Sequence, residues 1–488
     1  LAWREEVMDL DAKEVERIVL DVLQAVRRTT TGGSASPASR SGKLAPGIFF
    51  ELDDAVAAAD KAYRALRCLA TRQKVIAAIR ETGERYAGEL AEIAVLETGM
   101  GRVEDKILKN ISQARQTPGI ECLHPAVLTG DRGLTLTENA AWGVIASVTP
   151  STNRACTIIN NSISMIAAGN AVVFAPHPAA KKTSQRTITL INEAVVAAGG
   201  PEGVVTTVAE PTIEVAQRLF KYPGINLLVI TGGEAVIHEA RRHTDKRLIA
   251  AGAGNPPVVV DETADIARAA RDIAWGASFD NNIICVDEKE IIVVDQVADA
   301  LKAEMKKHKA VELSLAQARK LQDILLTGME QPTVGHCGKG IVNRKWVGRD
   351  AALIAREIGL EVPADTRLLF VETPADHPFA VTELMMPVIP VVRAGHANEA
   401  IDLAVHLEGG CRHTAAMHSK NLDNLDRMAN EINTSIFVKN GPCLAGLGFG
   451  GEGWTTMTIS TPTGEGVTSA ATFVRLRRCV LVDHFRIV

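Results

Sequence analysis

The chain has 488 residues, 46% hydrophobic and 23% charged, a globular composition that excludes wholesale disorder. With 53 Lys and Arg against 58 Asp and Glu, the formal net charge is −5, which leaves no basic footprint for nucleic acid or an anionic bilayer. No apolar run reaches the roughly 18 to 20 residues that span lipid, so a membrane helix is excluded and a soluble protein is expected.

At the start of the chain Val15, Ile18, Val19, Val22, Leu23 and Val26 recur at helical spacing, with Lys13, Glu14, Glu16, Arg17, Asp21 and Gln24 around the other face. A small-residue tether rich in Gly and Ser follows, Thr29 to Lys43. The pair reads either as a helix docked on the main body or as a detachable docking peptide of the helix-in-groove kind. Residues 49–98 read as helices, ended by Gly99. After Pro125 the pattern predicts a hairpin at about 126–140, then a buried strand from Val144 to Thr149.

Strands are expected next at 171–175, 204–208, 225–230 and 247–250, with helices at about 156–168, 181–198, 211–220 and 234–243. That alternation predicts a parallel sheet covered on both faces, with ligands at the carboxyl ends of its strands. A second alternation runs from Pro257 to about Phe437. It contains PVVV, a helix around Ala264 to Ala277, strands near 290 and 389, and the strand SIFV. The tail, TFVRLRRCVLVDH, predicts one more strand, pairing with the 126–140 hairpin outside both units. The fold class is therefore α/β, with two doubly wound parallel sheets and a β-hairpin arm. The expected division is a helix and linker at 1–43, a cofactor domain at 44–254, a cysteine domain at 255–440, and a cleft-lining loop with the terminal strand at 441–488. The eight cysteines are scattered and none forms a CxxC, so a reduced, intracellular setting fits better than a disulfide scaffold.

Cys285, between a helix and an Ile/Val-rich strand, sits where a thiol can add to a carbonyl at a cleft and later leave. The plainer reading is a small buried hydrophobe. Asn153 follows a strand and precedes a helix, where its amide either receives a developing oxyanion or caps the helix. Thr231, Gly232 and Gly233 in ITGGEAV form a strand-to-helix junction suited to a pyrophosphate, or simply a tight turn. GLGFGG, Gly446 to Gly451, satisfies GxGxxG but has no preceding strand and no following helix, so it is set aside. His336–Cys337 and Cys411 with His413 are too short for paired zinc ligands, and no metal site is expected.

Taken in order, SVTPSTN, AAGNAVVFAPHP, LLVITGGEAV, Cys285 after FDNNII, TELMMPVIPV and the terminal strand resemble the aldehyde dehydrogenase superfamily over roughly residues 50 to 488. The resemblance implies a cysteine that attacks an aldehyde, hydride transfer to NAD, and a thioester left on the enzyme. Cys285 matches the nucleophile, Asn153 the oxyanion amide, and Glu383 the acid that holds the nicotinamide ribose. Thr149, Pro150, Ser151, Thr231, Gly232, Gly233 and Gly252 match cofactor-binding positions. Where relatives carry a KPxE motif this chain has Ala175 and, near the acid, Pro178, so His177 and Pro178 are expected at the adenosine ribose.

One departure carries the functional expectation. Hydrolytic members place a glutamate about 35 residues before the nucleophile, and here that position is Ala250. Without a positioned base, water attacks a thioester poorly, whereas a thiolate needs no such help. The resemblance thus implies a CoA-acylating aldehyde dehydrogenase, coenzyme A as acceptor, and a propanal- or acetaldehyde-class substrate. Cys285 is expected to react as a thiolate and to be alkylated by iodoacetamide at neutral pH. Acylating members also imply that residues 11–28 bind a microcompartment shell protein, and the terminal strand implies a homodimer or homotetramer. The alternatives are a hydrolytic dehydrogenase, an NADPH-dependent reductase of an acyl phosphate, and a catalytically silent nucleotide-binding or scaffold protein.

Overall fold

The computed structural model describes residues 42–330 and 339–486. The readings on the 11–28 helix, on most of the tether, and on His336 and Cys337 lie outside the described residues. Among the described residues, no helix is long and apolar enough to cross a membrane.

Two seven-stranded sheets carry the fold. The first runs, edge to edge, Lys43–Ala45, Ile48–Phe49, Val205–Val208, Ala171–Pro176, Val144–Thr149, Leu227–Thr231 and Arg247–Ala251. It is parallel except for its small edge hairpin. The inner strands are near-continuous runs of Val, Ile, Leu and Ala because helices cover both faces. Strand order reverses between Val144–Thr149 and Leu227–Thr231, and such a switch point opens a crevice at the carboxyl ends.

The second sheet is wholly parallel, in the order Ala310–Leu313, Leu368–Glu372, Val388–Ala394, Glu290–Val294, Pro257–Val260, Thr414–His418 and Ile436–Lys439. The tail strand Val474–Val482 pairs antiparallel with Gly133–Ala141, which pairs with Ala126–Gly130. This three-stranded arm stands apart from both sheets and leaves Leu128, Leu476, Val480 and Val482 largely exposed.

The helices expected at 156–168, 181–198, 211–220 and 234–243 form as Arg154–Ala167, Lys181–Ala197, Ile213–Lys221 and Glu234–His243. One helix before the first sheet's central strands was not expected. Val103–Gln116 buries Asp105, Lys106, Lys109, Asn110, Ser112 and Gln113, so its inward face is polar and apolar periodicity does not reveal it. GLGFGG forms the end of a 3-10 helix and the turn after it. Gly446 is required there by packing, since a Cβ would stand 2.3 Å from the Ile436 Cγ2.

Candidate active site

The carboxyl ends of four neighbouring strands in the first sheet gather most of the cofactor positions named from sequence. Thr149 ends one strand, with Pro150 and Ser151 following, and its register partner Pro176 leads into His177 and Pro178. Across the switch point Thr231 ends the next strand, and Gly232 donates its N–H to the Ala251 carbonyl at 3.1 Å, beside Gly252. Gly232 and Gly233 have open space where a Cβ would point. The helix Glu234–His243 begins without a side-chain cap, leaving its first N–H groups for an anion. The Thr149 hydroxyl is buried with no hydrogen-bond partner. His177 uses its Nδ1 locally, accepting from the Ala179 N–H at 3.1 Å. Partial shielding from water and the nearby Arg344 charge lower its pKa.

The second sheet meets this crevice with its amino ends. Cys285 precedes the strand Glu290–Val294, Glu383 precedes Val388–Ala394, and Gly254 precedes Pro257–Val260. The ligand rule of carboxyl ends therefore describes the first sheet only. Cys285 is partly exposed, on a loop entered through three consecutive left-handed residues: Asp280 (φ 48°), Asn281 (φ 56°) and Asn282 (φ 63°). Asp and Asn tolerate this conformation better than other non-glycine residues, but three in a row persist only when heavily anchored. Asp280 accepts from the Arg102 N–H at 2.8 Å and from Lys106 Nζ at 2.9 Å, and it also pairs with Lys109. Asn281 donates to the Gly348 carbonyl at 2.9 Å, and Asn282 to the carbonyls of Ala277 and Glu288. Lys289 Nζ donates to the Asn282 and Ile284 carbonyls, each at 3.0 Å. Phe279 wedges the loop from below against Trp275 and Phe449.

Asn153 occupies the N-cap position of Arg154–Ala167, yet its side chain caps nothing. Its Oδ1 accepts from Lys109 Nζ at 2.6 Å, while Nδ2 donates to the Ile283 carbonyl at 3.2 Å and to Thr152 Oγ1 at 3.3 Å. The amide thus lies against the Cys285 loop. The capping role weighed from sequence is not the one this side chain performs.

Electrostatics revise one expectation. Burial, with the Glu383 carboxylate as the next cause, pushes the Cys285 thiol up to about 12. Burial thus works against the thiolate expected from sequence at neutral pH. Glu383 is itself raised by burial, against the opposing pull of Lys289 and a hydrogen bond from Gly254.

Sequence reasoning passed over His413 except as a discarded metal ligand. A Cβ on Gly254 would stand 2.8 Å from both the Cys285 carbonyl oxygen and the His413 Cγ, so the imidazole flanks the nucleophile loop. His413 is fully buried, Nδ1 lies 2.9 Å from Thr414 Oγ1, and Nε2 has no partner. Burial, then Lys289, pulls its pKa down to about 3. No sequence pattern could have signalled it, because its neighbours come from three separate strands' approaches.

Ala250 is fully buried on the edge strand Arg247–Ala251, and its N–H donates to Thr463 Oγ1 at 3.0 Å. The loop carrying Thr463, part of the segment expected to line the cleft, reaches the first sheet's carboxyl ends. Thr458 meets Thr231 at 3.1 Å, and Asn160 and Asn161 hold Thr456, Met457 and Thr458.

Comparison with known proteins agrees with this geometry. The family model described as Aldehyde dehydrogenase family matches residues 43–323. The chain is 67% identical to the acetaldehyde dehydrogenase (acetylating) EutE of Salmonella typhimurium over 479 residues, covering 98% of this chain and 100% of that one. It is similar to the crystal structure of Rhodopseudomonas palustris propionaldehyde dehydrogenase with bound CoA and an acylated cysteine (TM-score 0.85, 45% identity, 90% of this chain and 99% of that one). It is also similar to a propionaldehyde dehydrogenase from the Clostridium phytofermentans fucose utilisation bacterial microcompartment (TM-score 0.87, 44% identity, 91% and 100%).

Proposed function

The chain belongs to the aldehyde dehydrogenase family, and we infer that it is a CoA-acylating aldehyde dehydrogenase acting on a short aldehyde of the acetaldehyde or propanal class. The observation that carries this reading is Ala250. A buried methyl group, its backbone tied to Thr463, stands where hydrolytic members place the base that activates water. A thioester on Cys285 then persists until a better nucleophile than water arrives, and a thiolate is one.

In this reading Cys285 gives up its thiol proton to solvent as the sulfur adds to the carbonyl carbon, and the new negative charge on oxygen is received by the Asn153 Nδ2–H and the Cys285 N–H. The tetrahedral carbon gives up hydride and becomes the thioester. Coenzyme A thiolate adds to that thioester, the same donors receive a second oxyanion, and the Cys285 thiolate leaves as acyl-CoA departs. We assign NAD as the hydride acceptor. Gly232, Gly233 and the start of the Glu234–His243 helix would hold its pyrophosphate, and Glu383 the nicotinamide ribose. Thr149, Pro150, Ser151 and Gly252 would line its path, with His177 and Pro178 at the adenosine ribose. The open glycine junction and the unpartnered Thr149 hydroxyl fit such a group. The 44–254 segment serves as cofactor domain and 255–440 as cysteine domain.

A second reading has one observation in its favour. The Glu383 carboxylate is close enough to Cys285 to raise its pKa, so it could replace the missing base and direct water to the thioester. Product analysis separates the two. Acetaldehyde with NAD should give acyl-CoA as the major product when CoA is present, and at most a single equivalent of NADH without it. Free acid as the major product in the presence of CoA favours Glu383-assisted hydrolysis.

Two further assignments complete the proposal. The exposed apolar arm is covered by a second copy of the chain, so Leu476→Asp should lower the mass measured by light scattering. Residues 11–28 dock on a microcompartment shell protein. Deleting residues 1–43 should abolish co-localisation with shells and leave activity intact; lost activity with unchanged location would contradict this.

A further inference from the structure

Lys109 touches both halves of the reacting apparatus. Its Nζ donates to Asn153 Oδ1 at 2.6 Å, and it pairs with Asp280, the first left-handed residue of the nucleophile loop. All three side chains are buried: Lys109 is 2% exposed, Asn153 7% and Asp280 0%. An ammonium group carries only donors, so the amide atom facing it must be the oxygen. Lys109 therefore decides which way the Asn153 amide points.

The consequence lies on the other side of the amide. Nδ2 is turned toward the Ile283 carbonyl and Thr152 Oγ1, and both contacts are long, at 3.2 and 3.3 Å. An N–H group held that loosely is available to a stronger acceptor. Positive charge at Oδ1 also drains electron density from the amide nitrogen, which makes its N–H a better donor. Were the amide to flip, it would present an oxygen lone pair to the oxyanion instead.

Charge balance alone does not account for this lysine. Lys106 Nζ already pairs with Asp280 at 2.9 Å, so one cation is in place for one anion. The second cation adds the contact with Asn153. Arg154, another buried cation here, directs its guanidinium to the carbonyls of Ser151 and Ala94 and to Thr98. Although burial opposes it, Asp280 and neighbouring groups hold the Lys109 pKa above the ordinary lysine value, so the group stays charged.

We propose that Lys109 is a positioning residue for the oxyanion site: it fixes and polarises the Asn153 amide, and through Asp280 it sets that amide in register with the Cys285 loop. This rests on the reading in which Asn153 receives the oxyanion. The test is a double-mutant cycle in the full-length enzyme. It follows the single-turnover burst of NADH from acetaldehyde and NAD without CoA, together with the KM for NAD. Lys109→Met should slow the burst by about 10- to 100-fold and leave the KM for NAD unchanged, against about 10²- to 10³-fold for Asn153→Ala. In the Asn153→Ala background, Lys109→Met should slow the burst by less than about threefold, because the amide it positions is gone.

Lys106→Met serves as the comparison, removing an Asp280 partner without touching Asn153; whatever factor it costs should persist in the Asn153→Ala background. The proposal is overturned if Lys109→Met costs the same factor with and without Asn153, or if the Lys106→Met penalty vanishes there in the same way. Should the Met variant fail to fold, the cycle is run with Lys109→Gln, which retains an N–H donor; its penalty must likewise vanish in the Asn153→Ala background. Unchanged turnover in Cys285→Ala would instead remove the functional reading, whatever the cycle shows.

Discussion

Alkylation of Cys285 is the sharpest measure of the site's electrostatics. With its thiol pushed up to about 12, roughly 10⁻⁵ of the sulfur is thiolate at pH 7, against a few per cent for an ordinary cysteine. The higher pKa makes each thiolate more nucleophilic, with a Brønsted slope of about 0.4–0.5, and this recovers part of the deficit. The net expectation is alkylation about 10²-fold slower than an ordinary cysteine. The internal reference is Cys68, exposed at the start of the Leu69–Arg85 helix and lowered in pKa by hydrogen bonds from Thr71 and Ala70. Peptide mass spectrometry after timed iodoacetamide exposure should show Cys68 modified first at pH 7. The Cys285 rate should then climb about tenfold per pH unit up to pH 10 without levelling. Replacing Glu383 with Gln removes the second cause of the shift, so Cys285 should react faster at pH 7, by about three- to fourfold for each unit its pKa falls once the Brønsted offset is counted. Added NAD, with its cationic ring, should act in the same direction. Modification of Cys285 as fast as Cys68 at pH 7 without cofactor, or a plateau below pH 9, would refute the reasoning.

Asp280→Asn leaves Lys106 and Lys109 buried without their anion, so urea unfolding should show a loss of about 3–5 kcal/mol; an unchanged midpoint would mean that other groups already balance the lysines. Gly254→Ala forces a methyl group to within 2.8 Å of the Cys285 carbonyl and the His413 ring. It should cost about 1–3 kcal/mol of stability and slow the NADH burst at least about tenfold, whereas a full-rate variant would show slack in the loop. His413, its pKa brought down to about 3 by burial, should stay neutral from pH 5 to 9. Its ring resonance in histidine-labelled protein should be flat across that range, and a midpoint near 6.5 would contradict its buried setting.

The two sheets were legible because their strands are near-continuous apolar runs, VIASVT, AVVFAP, LLVIT and PVVV, punctuated by glycine and polar turns. Cys285 and Asn153 were legible as positions, each at a junction between a strand and a helix. What orients the Asn153 amide was not, since only the fold brings Lys109 to its oxygen. Val103–Gln116 escaped for the same reason that makes it important. Its core-facing positions are ionic and amide residues, which hydrophobic pattern reading assigns to solvent. The thiol state of Cys285 depends on Glu383, 98 positions later in the chain, and on burial that no local pattern encodes.

The polar face of that one helix has a mechanical meaning. Asp105 reaches Arg367, Lys106 and Lys109 reach Asp280, Gln113 reaches Thr455 and Gln116 reaches Gly448, so an early helix is stitched to late segments by groups that water would otherwise solvate. A fragment ending near 254 would lose the anion that pairs with Lys106 and Lys109, and its complement would lose both cations that hold Asp280. Each fragment should therefore melt below the intact protein, and mixing the two should recover part of the difference.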